Sequence, residues 1–140
     1  LGHGFLFLVY LTRSIAPYHL SSSGKIQDFY IREAITFVEQ NFQNDISVED
    51  IAARCGLNRS YFGTIFRQAL GQTPQEFLIH YRMIKAGELL KLTKLSVQDI
   101  SNAVGYSNPL HFSRAFKNVY GKSPRIWRSE NAIHQGVLPQ

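Results

Sequence analysis

The chain writes one passage twice. Ser47, Val48, Asp50, Ile51 and Gly56 recur as Ser96, Val97, Asp99, Ile100 and Gly105, at an offset of 49 residues. Phe62, Phe66, Gly71 and Pro74 then recur as Phe112, Phe116, Gly121 and Pro124 at an offset of 50, so the second copy holds one extra residue in its turn. Two copies are too few for a solenoid. Each is better read as a small helical unit used twice.

The punctuation of the copies predicts what that unit is. Ser47-x-x-Asp50 and Ser96-x-x-Asp99 resemble capping boxes, with Asp in place of Glu or Gln, and each opens a short helix. Gly56 and Gly105 follow, where a left-handed residue ends a helix. After a turn of three or four residues a second helix runs to Gly71 or Gly121. Thr73-Pro74 and Ser123-Pro124 each start a further helix, as a cap followed by Pro in the first turn. Short helix, glycine turn and longer helix is the helix-turn-helix pattern.

Upstream, Ile26 to Phe42 carries a helical apolar stripe. Between the copies, "PQEFLIHYRMIKAGELLKLT" (Pro74 to Thr93) carries two: Phe77, Tyr81 and Ile84 on one side, Ile79, Met83, Ala86 and Leu90 on the other. A helix apolar on two sides packs against two bodies. This one, about 28 Å long, can hold two recognition helices about one DNA turn apart. The expected fold is therefore all-α, with about seven helices: two helix-turn-helix subdomains, residues 25–73 and 95–128, joined by a long linker helix over 74–94. "SSSG" (Ser21 to Gly24) reads as a linker and residues 129–140 as a loose tail.

The second helix of each copy has a core face and an open face. Phe62, Ile65, Phe66, Ala69 and Leu70 lie on one side of the first; Phe112, Ala115, Phe116, Val119 and Tyr120 match them in the second. Opposite lie Ser60, Gly63, Thr64 and Arg67, and Leu110, Ser113, Arg114 and Lys117, both spaced i, i+3, i+4, i+7. A merely solvated face mixes Glu with Lys, and neither stripe has an acid. Small polar residues beside Arg and Lys suit a helix in the major groove: Arg bonds two guanine acceptors, Ser and Thr bond several bases, and Leu or a Thr methyl meets a thymine methyl.

Charge points the same way. The net charge is +5 and the isoelectric point about 9.5, which fits an acidic partner. The excess sits in residues 79–95, where four basic residues face Glu88 alone, and in the second unit, where five face Asp99 alone. Lys122, Arg125 and Arg128 cluster around the last short helix and read as phosphate contacts rather than base readers.

Other classes find little support. The single cysteine, Cys55, permits neither an internal disulfide nor a multi-cysteine zinc site, and reads as a buried thiol. The five histidines are scattered without metal-ligand spacing, and no Gly-rich phosphate loop occurs. No catalytic residue, metal or cofactor is expected. The longest apolar run, "FLFLVYL" (Phe5 to Leu11), is too short to span a membrane. The chain begins at Leu1, so a segment of a longer protein is expected. A helical protein-interaction module with a basic face is the alternative. RNA binding would favour exposed aromatics, whereas these have core spacing.

From Ile26 to Arg128 the sequence resembles the DNA-binding domain of AraC/XylS-type bacterial transcription regulators. The features are Arg82, Ala86 and Leu90, the Asp99-Ile100 pair, "VGY", "HFSRAFK", "YGKSP" and the closing Arg128. Trp127 stands where the family usually has Tyr, and Ser101 where it has Ala. The resemblance implies base contacts at Ser60, Gly63 and Thr64 and at Leu110, Ser113 and Arg114. Since Gly63 has no side chain, Arg59 joins the first set; Asn108 and His111 join the second. Arg67, Lys117, Lys122 and Arg125 are the expected phosphate contacts. It also implies double-stranded promoter DNA and RNA polymerase as partners and a cytoplasmic, nucleoid-associated location. Finally it implies an upstream sensing and dimerisation domain, with residues 1–24 as its end and linker and residues 1–20 as a homodimer contact.

Overall fold

The computed structural model describes residues 25–133; the expectations for residues 1–24 and for most of the tail lie outside them. The described residues form seven helices and no strand. They are α1 (Lys25–Asn41), α2 (Val48–Arg54), α3 (Arg59–Leu70), α4 (Pro74–Leu92), α5 (Val97–Ala103), α6 (Pro109–Tyr120) and α7 (Pro124–Asn131).

Local chemistry sets most of the boundaries. Ser47 and Asp50 form a reciprocal capping box at α2, with Asp50 N–H donating to Ser47 Oγ at 3.1 Å and Ser47 N–H to Asp50 Oδ2 at 2.9 Å. At α5 only half of the expected box forms: Ser96 Oγ accepts from Asp99 N–H, and no bond returns from the Asp99 side chain. The box that the sequence reading missed is at α4, where Thr73 and Glu76 bond reciprocally ahead of Pro74. Gly71 and Gly121 cap α3 and α6 in the left-handed conformation. The last helix runs three residues beyond Arg128, into the expected tail, held by Asn131 Nδ2 donating to Trp127 O at 2.9 Å.

The core is two bodies sharing one helix. Ile31, Ala34, Val38, Ile51, Phe62, Phe66 and Phe77 anchor the first cluster; Met83, Ala86, Leu90, Ile100, Phe112 and Phe116 form most of the second. The linker helix contributes to both: Phe77, Tyr81 and Ile84 to the first, Met83, Ala86 and Leu90 to the second. It touches α3 on one side and α5, α6 and α7 on the other. The first ring network runs Phe62–Phe66–Phe77–Tyr81–Phe42. In the second, Phe116 stacks on Tyr120 at 4.2 Å between ring centres, and Trp127 meets both edge-on. Gly87 makes room for that stack: a Cβ there would lie 2.2 Å from the Tyr120 hydroxyl oxygen, which donates to Met83 O at 3.1 Å. Ser101 is fully buried, with its hydroxyl donating to Tyr106 O at 3.0 Å.

Each unit is closed by one arginine. From α4, Arg82 Nε donates to Phe42 O at 2.9 Å and Nη2 to Asn44 O at 2.8 Å, gripping the loop between α1 and α2. From α7, Arg128 Nε donates to Leu90 O at 3.1 Å and Nη2 to Thr93 O at 3.3 Å, gripping the end of α4. The Phe42, Leu90 and Thr93 carbonyls lie at helix ends, which leave such groups without intrahelical partners, while the loop carbonyl of Asn44 also accepts from Ile46 N–H at 2.9 Å. Arg128 is thus a structural clasp, contrary to its reading as a phosphate contact, because its charged edge is already turned onto the protein. Arg82 also lies over the Tyr106 ring, 5.6 Å from its centre, so it joins the first unit's loop to the second unit's turn. Gly105 (φ +98°) completes the junction: a Cβ there would lie 2.6 Å from Phe42 O and 3.0 Å from Arg82 Nε.

Candidate nucleic-acid interface

The recognition helices α3 and α6 start on matching caps. Asn58 Oδ1 accepts from Tyr61 N–H at 2.8 Å, and Asn108 Oδ1 accepts from Leu110 N–H at 2.8 Å and His111 N–H at 3.4 Å. Pro109 sits in the first turn of α6, where its missing N–H costs nothing. Phe62 and Phe66, and Phe112 and Phe116, point each helix's apolar face into its own core. The opposite stripes are thereby turned outward.

Both stripes stand open. Ser60, Thr64 and Arg67 are exposed on α3, with Gly63 half-buried between them. Arg114 and Lys117 are exposed on α6, Ser113 is half-buried, and Leu110 is 67% exposed. An isolated leucine that open, beside Arg114 and His111, has no packing role in the fold. Thr64 Oγ1 donates to Ser60 O at 3.1 Å, which fixes its rotamer.

Some expected site residues are already engaged. Arg59 forms an ion pair with Glu49, and that guanidinium holds the exposed Glu49 carboxyl below the usual carboxylate range. Lys122 pairs with Glu130. Asn108 spends its carbonyl oxygen on the cap, leaving its amide hydrogens free of it. Arg125 is exposed on α7.

The structure brings further residues to the site. An open groove of about 490 Å³ runs along α3, walled by Arg59, Ser60, Thr64 and Arg67 with Gly63 between, and closed by Val48 of α2 and by Thr73, Pro74 and Gln75 at the start of α4. Gln75 stands 50 residues before Arg125, so the repeat offset was the signal for it. No carboxylate lines this groove.

Among the described residues no cluster of three or more His, Cys, Asp and Glu side chains could hold a metal ion. No helix among them is long and apolar enough to cross a membrane. Cys55 is half-buried rather than buried; burial pushes its thiol pKa up, and its Sγ donates to Tyr30 O at 3.4 Å.

Comparison with known proteins agrees with this geometry. The family described as "Helix-turn-helix domain" matches residues 44–130. The Msm operon regulatory protein of Streptococcus mutans is 35% identical over 129 residues, 92% of this chain and 46% of that protein. The lactose operon transcription activator of Staphylococcus xylosus is 35% identical over 127 residues, 91% of this chain and 46% of that protein. The chain thus spans a little under half the length of these relatives. Among solved structures, the C-terminal domain of AraT, a response regulator from Geobacillus stearothermophilus, superposes with a TM-score of 0.76 at 30% identity, covering 79% of this chain and 93% of that one. The DNA-binding domain of AdpA, solved in complex with a target DNA, superposes with a TM-score of 0.69 at 27% identity, covering 71% of this chain and 90% of that one. The repeated fold, the matched family and these relatives together establish that the chain belongs to the AraC-type helix-turn-helix family of transcription regulators.

Proposed function

We propose that this domain binds double-stranded DNA at defined sequences as part of a bacterial transcription regulator, with α3 and α6 in successive major grooves. The observation that carries this reading is the pair of acid-free, outward stripes on two helices whose cores share one linker helix. A rigid frame of that kind presents two readers without dimerisation. AdpA, solved on its target DNA, has the same fold and supports the reading.

Arg59, Ser60 and Thr64 read bases from α3; Asn108, Leu110, His111, Ser113 and Arg114 read them from α6. Arg114 suits guanine, and Leu110 suits a thymine methyl. Arg67, Lys117, Lys122 and Arg125 contact phosphates and fix the register. The exposed Arg59–Glu49 and Lys122–Glu130 pairs are weak in water, so a phosphate or base edge competes for each cation. Relatives named as an operon regulator and an operon activator support a role at promoters. Contact with RNA polymerase, self-association through residues 1–20 or an upstream domain, and a cytoplasmic, nucleoid-associated location complete the proposal.

The test is selection from random duplex DNA by the purified chain, followed by salt titration of the winner. The expected motif has two segments about one helical turn apart, and log K against log salt falls with a slope of about −0.9 per neutralised phosphate. Lys117→Ala lowers that slope by about one and weakens all sequences alike. Absence of binding even at low salt would sink the reading and favour a protein partner, whose interface gives little slope.

A further inference from the structure

Among the described residues two glycines lie inside helices, and only one is explained by the fold. At Gly87 a side chain would strike the Tyr120 ring. At Gly63 the backbone is helical without positive φ, and a Cβ would meet no heavy atom within 4 Å. Neither conformation nor packing calls for glycine there. The middle of an exposed helix is also among the least favourable places for it, because it loses more backbone freedom on folding than any other residue. The repeat mate of Gly63, 50 residues on, is Ser113, so the same place in the second unit carries a side chain.

We propose that Gly63 is a specificity-determining position that acts by absence: it lets α3 approach a base-pair edge closely and admits the 5-methyl group of a thymine between Ser60 and Thr64. The inference rests on the DNA-binding reading above and refines it for the first unit. The vacant position opens into the groove of about 490 Å³ along α3, flanked by Arg59 and Arg67 and lined by no carboxylate. Thr64 has its hydroxyl turned to Ser60 O at 3.1 Å, which leaves its γ-methyl as the group with no bond to make. The thymine methyl is the one methyl group on the major-groove edge of the four base pairs. A recess with no side chain at its floor and the Thr64 methyl beside it is matched to it.

The test is a double-substitution cycle on the duplex that the wild-type chain selects. Each thymine is replaced singly by uracil, which removes only the methyl, and affinity is measured for wild type and Gly63→Ala. At one thymine the wild type is expected to lose about three- to fivefold, the worth of one buried methyl. Gly63→Ala is expected to bind the selected duplex about tenfold more weakly and to lose nothing further at that thymine. Its Tm rises by about 3–4 °C, as replacing a helical glycine predicts. Equal affinity of the two proteins for the selected duplex overturns the inference, as does equal sensitivity to uracil at every position. A lower Tm for Gly63→Ala overturns it too, since glycine would then serve the fold. In those three cases the DNA-binding reading stands; if the wild-type chain selects no duplex, both fail.

Discussion

In the first unit Arg59 is held by Glu49, and Arg54 lies 3.9 Å from Glu33; in the second, no described carboxylate pairs with Arg114 or Lys117. The first unit opens on a full capping box, the second on half of one. The first has a groove beside a glycine on its recognition helix; the second fills that place with Ser113 and adds the 67%-exposed Leu110 one turn earlier. What the copies share is the machinery of folding: two phenylalanines, two glycine stops, a proline start and a closing arginine. What differs is what faces outward. On the proposed reading the second unit supplies most of the electrostatic attraction, and the first contributes through shape. A repeat therefore conserves the residues its core requires and leaves its surface free to diverge.

Breaking either core is the largest perturbation that the comparison offers. Phe66→Ala and Phe116→Ala each remove a buried ring and should destabilise the chain by about 3–5 kcal/mol, measured by urea denaturation. Phe116 stacks on Tyr120 with Trp127 edge-on to both, and Phe66 lies in the first ring network, so amide exchange should locate the initial loss in the unit that carries the substitution.

The closing arginines come next. Arg82 is 9% exposed and Arg128 is half-buried. Arg82→Met leaves the Phe42 and Asn44 carbonyls without this donor and should cost about 2–3 kcal/mol, with Arg128→Met costing less. Because Arg82 spans both units, Arg82→Met should also relax the preferred spacing between the two half-segments of the selected DNA, whereas Arg128→Met should not. Equal costs and equal spacing in denaturation and selection experiments would show that the two clasps are equivalent.

Arg114→Ala should cost about 1–3 kcal/mol of binding to the selected duplex and relax preference at one position. An unchanged sequence preference in a repeated selection would remove α6 from the groove. The smallest effect concerns the caps. Ser47→Ala should cost about 1 kcal/mol, and Ser96→Ala less than that, since only Ser47 belongs to a reciprocal box. Thermal melts of the two variants under the same conditions decide the order.

Much of this was legible in the sequence, because the signals were local or repeated. The stripes of α3 and α6 follow from 3.6-residue periodicity, and the turns from glycine and proline. The two faces of α4 showed as two interleaved apolar stripes. The second capping box failed to close because a cap needs the Asp99 side chain to turn back onto the Ser96 N–H, and sequence spacing alone does not fix a rotamer. Arg128 was misread because a cationic side chain near a basic cluster looks the same in sequence whether it faces water or a carbonyl. The repeat offset from Arg125 was the one sequence signal for Gln75, and its place on the groove depends on where the start of α4 lands against α3.

For the described residues, the sequence by itself determined the helices, most of their starts and their inward faces, since backbone capping and hydrophobic periodicity act within one or two turns of chain. Only the tertiary structure decided which carbonyls Arg82 and Arg128 grip, that Gly87 yields to Tyr120, and that Gly63 yields to nothing. Those facts depend on atoms tens of residues apart in the chain, brought within a few ångströms when the shared helix α4 packs two cores at once.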